Sequence, residues 1–201
     1  MSKPLLLTFA ICLLTLGTFS QVGFKGGLTF GPVTSQVHGD GIAGFYKVGI
    51  SAGALVEMTF TERIGSRLEI LYTPKGSRSR PDSLNQNYYK LSLQYVEIPL
   101  SINFNYDKFQ FDAGIYTGIL IRQREFFSPG IAFAPNPPYN TIDVGGHIGC
   151  RYMLGEKWFA HARYSQSILP IRSAPKDNQV SGTYKTQGTN FDFRLMFGVL
   201  F

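Results

Sequence analysis

Two histidines, a serine and an aspartate are the residues of this chain whose types could together do chemistry. Asp143, His147, His161 and Ser165 fall on two successive segments in which polar and apolar residues alternate. A serine nucleophile activated by a histidine, with a carboxylate to orient that histidine, is the arrangement of a hydrolase. The spacing along the chain does not enforce this geometry. The same residues also fit a buried network of polar groups that satisfy one another.

The sequence therefore predicts no enzymatic activity, with a membrane-embedded lipid hydrolase as an alternative. Cys150 is the only cysteine beyond residue 20. It has neither a disulfide partner nor the second cysteine that many zinc sites use. We predict no catalytic residue, no bound metal ion and no cofactor.

The segments that would position these residues have the pattern of β-strands. Beyond residue 20, no stretch of ten or more residues has a clear helical period, whereas alternation of apolar and polar residues recurs eight times. In the last segment the alternation reaches the C-terminus, with its apolar set at Phe191, Phe193, Leu195, Phe197, Val199 and Phe201. We predict eight strands, each with one apolar and one polar face.

The charged residues of the predicted strands lie on the polar faces and include both signs. If these faces point into a barrel, opposite charges can pair there, whereas a buried charge without a partner is costly. The predicted lumenal polar network consists of Lys25, Lys47, Glu57, Arg67, Glu69, Glu97, Asp112, Arg122, Asp143, His147, Arg151, His161, Arg163, Asp192 and Arg194.

The connections between the predicted strands alternate in length. Short connections lie near residues 61–65, 106–108 and 155–156, and long ones lie near residues 31–44, 77–89, 123–141 and 167–188. Short turns on one rim and long loops on the other are typical of transmembrane barrels. An even number of strands lets the sheet close with both termini on one rim. The predicted fold is all-β, an eight-stranded antiparallel up-and-down transmembrane β-barrel.

A soluble barrel that carries a ligand would have the same strands with apolar residues inside and charges outside. Three observations favour the membrane: the charged face is balanced, amphipathic rings lie near the strand ends, and the chain stops at an aromatic residue, Phe201. The rings, which favour the bilayer interface, belong to Tyr46, Tyr72, Tyr106, Tyr152, Trp158 and Tyr164. We therefore predict that the apolar faces point outward, toward lipid.

The first twenty residues have the features of a cleaved signal peptide. Lys3 supplies a positive charge, residues 5–16 are apolar but too few to span a bilayer, and Thr18 and Ser20 are small residues before the cut. We predict a signal peptide at residues 1–20 and a barrel domain at residues 21–201. The net charge of +6 comes from basic residues spread singly along the chain. Proteins that bind nucleic acid instead cluster Lys and Arg, so we predict no nucleic-acid partner.

Five segments carry a recognisable pattern in a fixed order along the chain. They are GFKGGLTF at residues 23–30, LEILYTPKG at 68–76, YVEIPLSIN at 95–103, DAGIYTGIL at 112–120 and DVGGHIG at 143–149. This pattern resembles the PorT-like family of outer-membrane β-barrel domains, also described as a porin family. The resemblance implies the outer membrane of a Gram-negative bacterium, with periplasmic termini and extracellular long loops. It also implies outer-membrane lipid, lipopolysaccharide and the barrel-insertion machinery as partners, with Phe201 as the insertion signal.

Two features of the predicted long loops could serve binding. The basic residues in or beside these loops are Arg78, Arg80, Lys90, Arg122, Arg124, Arg172, Lys176 and Lys185. They would attract lipopolysaccharide phosphates or other anions, or they are ordinary solvated charges. The third long loop combines four prolines with Phe126, Phe127, Ile131, Phe133 and Tyr139. Such a loop either offers aromatic groups to a protein partner or folds over the barrel mouth.

We predict a non-enzymatic outer-membrane barrel with a structural or loop-mediated interaction role. An accessory role in a type IX-like secretion system, which the family name implies, is one alternative. A narrow porin is another, although eight strands enclose an interior that side chains fill.

Overall fold

The computed structural model describes residues 23–42, 44–79, 88–128, 131–135, 138–172 and 188–201. These residues form nine β-strands: β1 (Gly23–His38), β2 (Lys47–Thr59), β3 (Ile64–Lys75), β4 (Lys90–Tyr106), β5 (Phe109–Ser128), β6 (Ile131–Phe133), β7 (Ile142–Met153), β8 (Trp158–Ser167) and β9 (Thr189–Leu200). Within the described ranges, the chain has no helix long and apolar enough to cross a membrane. The predicted signal peptide at residues 1–20 lies outside the described residues.

Eight of the nine strands form a closed antiparallel barrel. Each strand pairs with the next along the chain, except that β5 pairs with β7 within the ring, and β9 pairs back with β1 to close it. The ninth strand, β6, has three residues and pairs only with β5, above the ring. The predicted fold of eight strands is therefore confirmed, and β6 is an addition that the alternation did not reveal.

The two rims of the barrel differ in their connections. The turns at residues 60–63, 107–108 and 154–157 are short and lie at one rim, which we call the short-turn end. Asp107 has a positive φ of 52°, a conformation that aspartate tolerates better than most residues and that a two-residue hairpin turn needs. The connections after β1, β3, β6 and β8 are longer and lie at the other rim, the long-loop end. Gly23 and Phe201, the ends of the described chain, share the short-turn end.

The outer surface of the barrel carries a belt of exposed apolar side chains. On β4 the outward positions are apolar from Val96 to Tyr106, eleven residues along the strand. A transmembrane β-strand needs about 9–11 residues. Beyond Val96 the outward positions of β4 become Gln94, Ser92 and Lys90, and the belt ends there. The predicted interface aromatics, Tyr46, Tyr72, Tyr106, Tyr152, Trp158 and Tyr164, are all exposed on the outer surface.

Several strands run further toward the long-loop end than the sequence predicted. β1 continues to His38 and β5 continues to Ser128, where loops were expected from residues 31 and 123. The expectation was wrong because the alternation continues there, but with the apolar residues facing inward and the polar residues facing outward. Val33 and Val37 are buried inside the barrel, whereas Thr34 and Gln36 between them are partly exposed outside. Hydrogen-bonded strands therefore project beyond the apolar belt.

Candidate functional site

The interior of the barrel near the short-turn end is occupied by charged side chains from facing strands. Arg67 of β3 is fully buried, and its Nε donates to Glu57 Oε1 on β2 at 2.9 Å. Its Nη2 lies 3.2 Å from Asp112 Oδ1 on β5, across the lumen. Arg151 of β7 pairs with the same Glu57 and places its guanidinium 3.8 Å from the centroid of the Phe159 ring. Two arginines and two carboxylates therefore bridge the barrel at this level.

A second group lies beside the first. Arg163 of β8 pairs with Glu69 of β3 across the barrel. His161 Nε2 lies 2.7 Å from Asp112 Oδ1. Gly149 faces this contact, and a Cβ there would lie only 2.5 Å from His161 Nε2. The absence of a side chain at Gly149 leaves the space in which the carboxylate and the imidazole meet.

The third group, nearer the long-loop end, is centred on Lys75. Its Nζ lies 2.6 Å from Glu97 Oε1, 3.3 Å from Asp143 Oδ2 and 3.2 Å from Asp192 Oδ2. Arg194 pairs with Glu97 and with Asp192, each at 2.6 Å. Lys75 was not among the residues of the predicted lumenal network. The signal that could have found it is its position two residues beyond Thr73, on the same inward face as Arg67 and Glu69.

Most of the residues in the predicted lumenal network are buried inside the barrel. The buried members are Lys47, Glu57, Arg67, Glu69, Glu97, Asp112, Asp143, His147, Arg151, His161, Arg163, Asp192 and Arg194. Removing a charge from water costs several kcal/mol, and breaking such a pair leaves that cost uncompensated. Pairing with one another therefore offsets part of the cost of burying these charges.

Two predicted members of the network are exposed instead, and their assignment was wrong. The pairing of β4 with β5 shifts register between Gln94 and Tyr95, opposite a bulge at Ile121. A bulge adds one residue to one strand and reverses the faces beyond it, so Arg122 points outward. Lys25 lies near the start of β1, at the short-turn rim, and is exposed there.

The hydrolase arrangement considered above is not assembled. His147 Nε2 hydrogen-bonds Ser101 Oγ at 2.8 Å, and Asp143 binds Lys75. His161 contacts Asp112, and Ser165 is buried. Both histidines and the candidate orienting carboxylate therefore have other partners. Among the described residues, no group of three or more His, Cys, Asp or Glu side chains could hold a metal ion.

Apolar side chains cover the charged layer at both ends of the lumen. At the short-turn end, Leu55, Phe159 and Leu200 pack together, with Met153 against them. At the long-loop end a larger group, which we call the mouth cluster, closes the interior. Its members are Val37, Leu91, Leu93, Tyr95, Tyr139 and Ile171. Side chains thus fill the lumen, as expected for a barrel of eight strands.

The mouth cluster is held by residues that fold over the barrel opening. The Tyr139 hydroxyl donates to Glu125 Oε1 at 3.3 Å, and the Arg172 guanidinium lies 4.9 Å from the Tyr139 ring centroid. Arg172 Nη1 is 3.7 Å from Glu125 Oε1. The backbone N–H of Asn140 donates to the backbone carbonyl of Ile171 at 2.8 Å. This part of the third loop folds over the mouth, one of the two outcomes expected for it.

Two carboxyl groups at this end have perturbed acidity. Glu125 lies beyond the bulge at Ile121, outside the apolar belt, and burial raises its pKa above the ordinary value. Burial also raises the pKa of Asp40, which follows β1. The cause in both cases is desolvation, which disfavours the charged form.

Other aromatic residues of the same loop are exposed. Phe127, Ile131 and Phe133 sit on the β5–β6 hairpin and are each about half exposed. The Phe127 ring centroid lies 5.8 Å from that of Phe133 and 5.6 Å from that of Tyr89. We call this exposed group, Phe127, Ile131 and Phe133, the hairpin patch. Pro129 and Pro137 lie outside the described residues, as do Arg80, Lys176 and Lys185.

A closed barrel with an apolar outer belt and a charged interior is a transmembrane β-barrel, because lipid requires apolar side chains on the outside. A family model described as "Outer membrane protein beta-barrel domain" matches residues 17–172. The chain belongs to this family of outer-membrane barrels.

Solved structures with the same fold include Ail, the attachment invasion locus protein of Yersinia pestis, in complex with the heparin analogue sucrose octasulfate. That structure has 12% sequence identity and a TM-score of 0.51, covering 89% of this chain and 99% of that chain. Neisserial surface protein A is 10% identical, with a TM-score of 0.43 and coverage of 90% and 100%. No curated protein matches the chain at a significant level. The fold and the family place the protein in the outer membrane.

Proposed function

We propose that this protein is a sealed, non-enzymatic barrel that acts by binding other molecules at its long-loop end. The observation that carries the proposal is the filling of the lumen. Lys75 and its carboxylate partners occupy the interior, and Leu93 and Tyr139 of the mouth cluster close it above. The exposed aromatic and basic side chains of the long-loop end remain for contacts with other molecules.

The proposal includes an orientation in the membrane. The long loops face the outside of the cell and the termini face the periplasm, where residues 1–20 would be removed as a signal peptide. In this orientation Phe201, which is 74% exposed at the short-turn end, lies on the periplasmic side. Its backbone pairs with Gly26, which fixes the terminal ring beside β1. The ring is therefore accessible to insertion machinery from the periplasmic side.

Conductance across a planar lipid bilayer tests whether the lumen is sealed. The protein without residues 1–20 is expected to insert without producing discrete conductance steps, because charged and apolar layers both block the barrel. A known porin inserted under the same conditions is the positive control. Stable steps from the wild-type protein would show a channel and would favour the narrow porin instead.

The hairpin patch favours a protein as one binding partner. Exposed apolar patches of this kind are typical of interaction surfaces, and Phe127 and Phe133 lie on paired strands with their rings 5.8 Å apart. A photo-crosslinking residue in place of Phe133 is expected to give one discrete protein adduct in living cells. The same residue in place of Ile64, which is exposed at the short-turn end, is the matched control. Identical adducts at both positions, or none at position 133, would contradict a partner at the patch.

An accessory role in secretion, which the resemblance to the PorT-like family implies, is a special case of this proposal. The partner would then belong to an export machine. Deletion of the protein is expected to stop cargo export, and the wild type but not Phe127→Ser/Phe133→Ser should restore it. Normal export after deletion would remove this case and leave the partner open to a different system.

A further inference from the structure

A row of basic side chains lies on the outer surface of β4 and β5, directly above the apolar belt. In the register of these strands Gln94 is opposite Arg122, and Ser92 is opposite Arg124. Both arginines are exposed on the lipid-facing side of the sheet. Lys90 continues the row on β4 and pairs with Arg78 across an isolated bridge.

The bulge in β5 places this row close to the edge of the belt. Ile121 and Arg122 are adjacent residues and both are exposed. Arg122 and Arg124 lie one and three residues beyond Ile121, which is about 3 Å and about 10 Å further along the tilted strand. The headgroup region on each side of a bilayer is about 5–7 Å thick. Arg122, and Arg124 just beyond it, therefore lie close enough to the belt for their long side chains to reach the headgroup region.

The positive charge of the row is not balanced locally. Glu125 and Asp40, the carboxylates described at the long-loop end, are both buried rather than on the outer surface. Glu125 is engaged with Tyr139 and Arg172. In the described part of the chain, no carboxylate lies within ion-pair distance of Arg122 or Arg124. Within the described residues, the row is thus a basic surface with no neighbouring carboxylate to neutralise it.

We propose that Arg122 and Arg124, extended by Lys90 and Arg78, bind the phosphate groups of a phosphorylated glycolipid in the surrounding leaflet. The guanidinium fork matches the geometry of phosphate oxygens and donates two parallel hydrogen bonds. The acyl chains of the same lipid pack on the belt directly below, against Ile119 and Ile121. Arg78 and Lys90 lie further from the belt and reach the sugars or phosphates that the lipid carries above its headgroup.

The position of the row separates this ligand from a soluble anion. A site for a free anion needs only charge, whereas the row adjoins an apolar surface on which acyl chains also contact the protein. The inference rests on the proposed orientation only in naming the leaflet. Binding in a reconstituted bilayer does not depend on orientation, so the two proposals can fail separately.

The test is lipid retention by the full barrel in phosphatidylcholine nanodiscs that contain bisphosphorylated lipid A. Native mass spectrometry counts the lipid A molecules that stay with the protein as their concentration is raised. Arg122→Gln/Arg124→Gln is expected to weaken retention by about 30-fold, which corresponds to about 1 kcal/mol for each basic side chain near an anionic surface. Lipid A from which both phosphates have been removed should be retained no better by the wild type than by this variant.

Lys108→Gln/Lys157→Gln is the matched control, because it removes two exposed charges from the short turns. It should retain bisphosphorylated lipid A as the wild type does. Equal retention by the wild type and Arg122→Gln/Arg124→Gln would overturn the proposal, and so would wild-type retention that ignores the phosphates. Displacement of the lipid by excess inorganic phosphate alone would show a free-anion site and would also overturn it. If the variant does not fold, equal retention of the two lipids by the wild type still overturns the proposal.

Protease digestion of intact cells tests the orientation independently. Cleavage at the long-loop end from outside the cell supports extracellular loops. If cleavage occurs only after the outer membrane is opened, the proposed orientation fails while the phosphate-binding row still stands.

Discussion

The belt region of the barrel and its long-loop end bury opposite kinds of side chain on the same strands. Within the belt, β4 turns Glu97 inward to the ion pairs and Ile102 outward. Nearer the long loops, the same strand turns Leu91 and Leu93 inward and Lys90 outward. The hydrogen-bonded ladder continues through both regions, so backbone pairing does not distinguish them.

The difference shows that the surrounding solvent decides which face of a strand is apolar. Lipid cannot solvate charge, so the belt keeps its charges inside, where they pair with one another. Water favours burial of apolar surface, so the long-loop end has the ordinary polarity of a soluble protein. The change occurs close to the bulge at Ile121, which also reverses the faces of β5.

The largest effect should come from the charged interior of the belt. Lys75→Met leaves Glu97, Asp143 and Asp192 without their shared cation, and breaking a buried pair costs about 3–5 kcal/mol. We expect that loss in the free energy of unfolding, measured by urea titration with the fluorescence of Trp158, the only tryptophan. Lys157→Met on an exposed short turn should change little. An unchanged midpoint for Lys75→Met would show that the ion pairs do not stabilise the barrel.

The packing of the mouth cluster and that of the belt can be compared by truncating one leucine of β4 in each region. Leu93 is buried in the mouth cluster, whereas Leu100 is exposed on the belt. Leu93→Ala should lower the free energy of unfolding by about 3–4 kcal/mol, because it leaves a cavity as well as losing apolar burial. Leu100→Ala should cost only about 2 kcal/mol, the transfer of the lost methyl and methylene groups, since lipid fills the space. Equal losses in urea titrations of the two variants would mean that the mouth cluster is not tightly packed.

An arginine placed on each side of the boundary locates the edge of the belt. Ile102 is 70% exposed near the middle of the apolar stretch of β4. Ile102→Arg should cost about 2–4 kcal/mol, as expected for a charge facing lipid near the bilayer midplane. Ser92→Arg, on the same face but beyond Val96, should stay within about 0.5 kcal/mol of the wild type. Similar costs in unfolding from lipid vesicles would place the membrane boundary elsewhere.

The smallest expected effect is the pH dependence of the mouth. Burial raises the pKa of Glu125, so the folded protein holds this proton more tightly than the unfolded chain does. Stability from the mouth contacts is therefore full below the ordinary carboxyl pKa and falls as the pH rises toward the raised value. Hydrogen exchange of the backbone N–H of Asn140, which donates to the Ile171 carbonyl, should show protection that weakens as the pH rises above the ordinary carboxyl pKa of about 4, after correction for intrinsic rates.

Glu125→Gln should flatten this dependence, whereas Glu62→Gln, on the exposed turn between β2 and β3, should leave it intact. Protection that rises with pH in the wild type would contradict the assigned direction. The residual slope in Glu125→Gln is expected to come from Asp40, whose pKa burial also raises.

The sequence predicted the arrangement of the barrel better than its interior contacts. Alternation from Phe191 to Phe201 indicated the last strand and its outward face, because side chains of a strand alternate with a period of two whatever they contact. The same rule predicted which charges point inward, with Arg122 misplaced by a bulge that leaves no mark in the alternation. It could not reveal that Asp112 meets both Arg67 and His161. Those contacts cross the lumen, and they depend on strand tilt and closure.

By itself, then, the sequence determined the eight strands of the ring within the belt, their order and the polarity of the belt, since these follow from local periodicity and from the lengths of connections. Only the tertiary structure decided that Lys75 is shared by three carboxylates and that Tyr139 folds over the mouth. It also decided that the exposed arginines of β5 stand at the edge of the belt. Each of these depends on the register of strands that are distant along the chain. That register is fixed only when the sheet closes and every buried charge must find a partner.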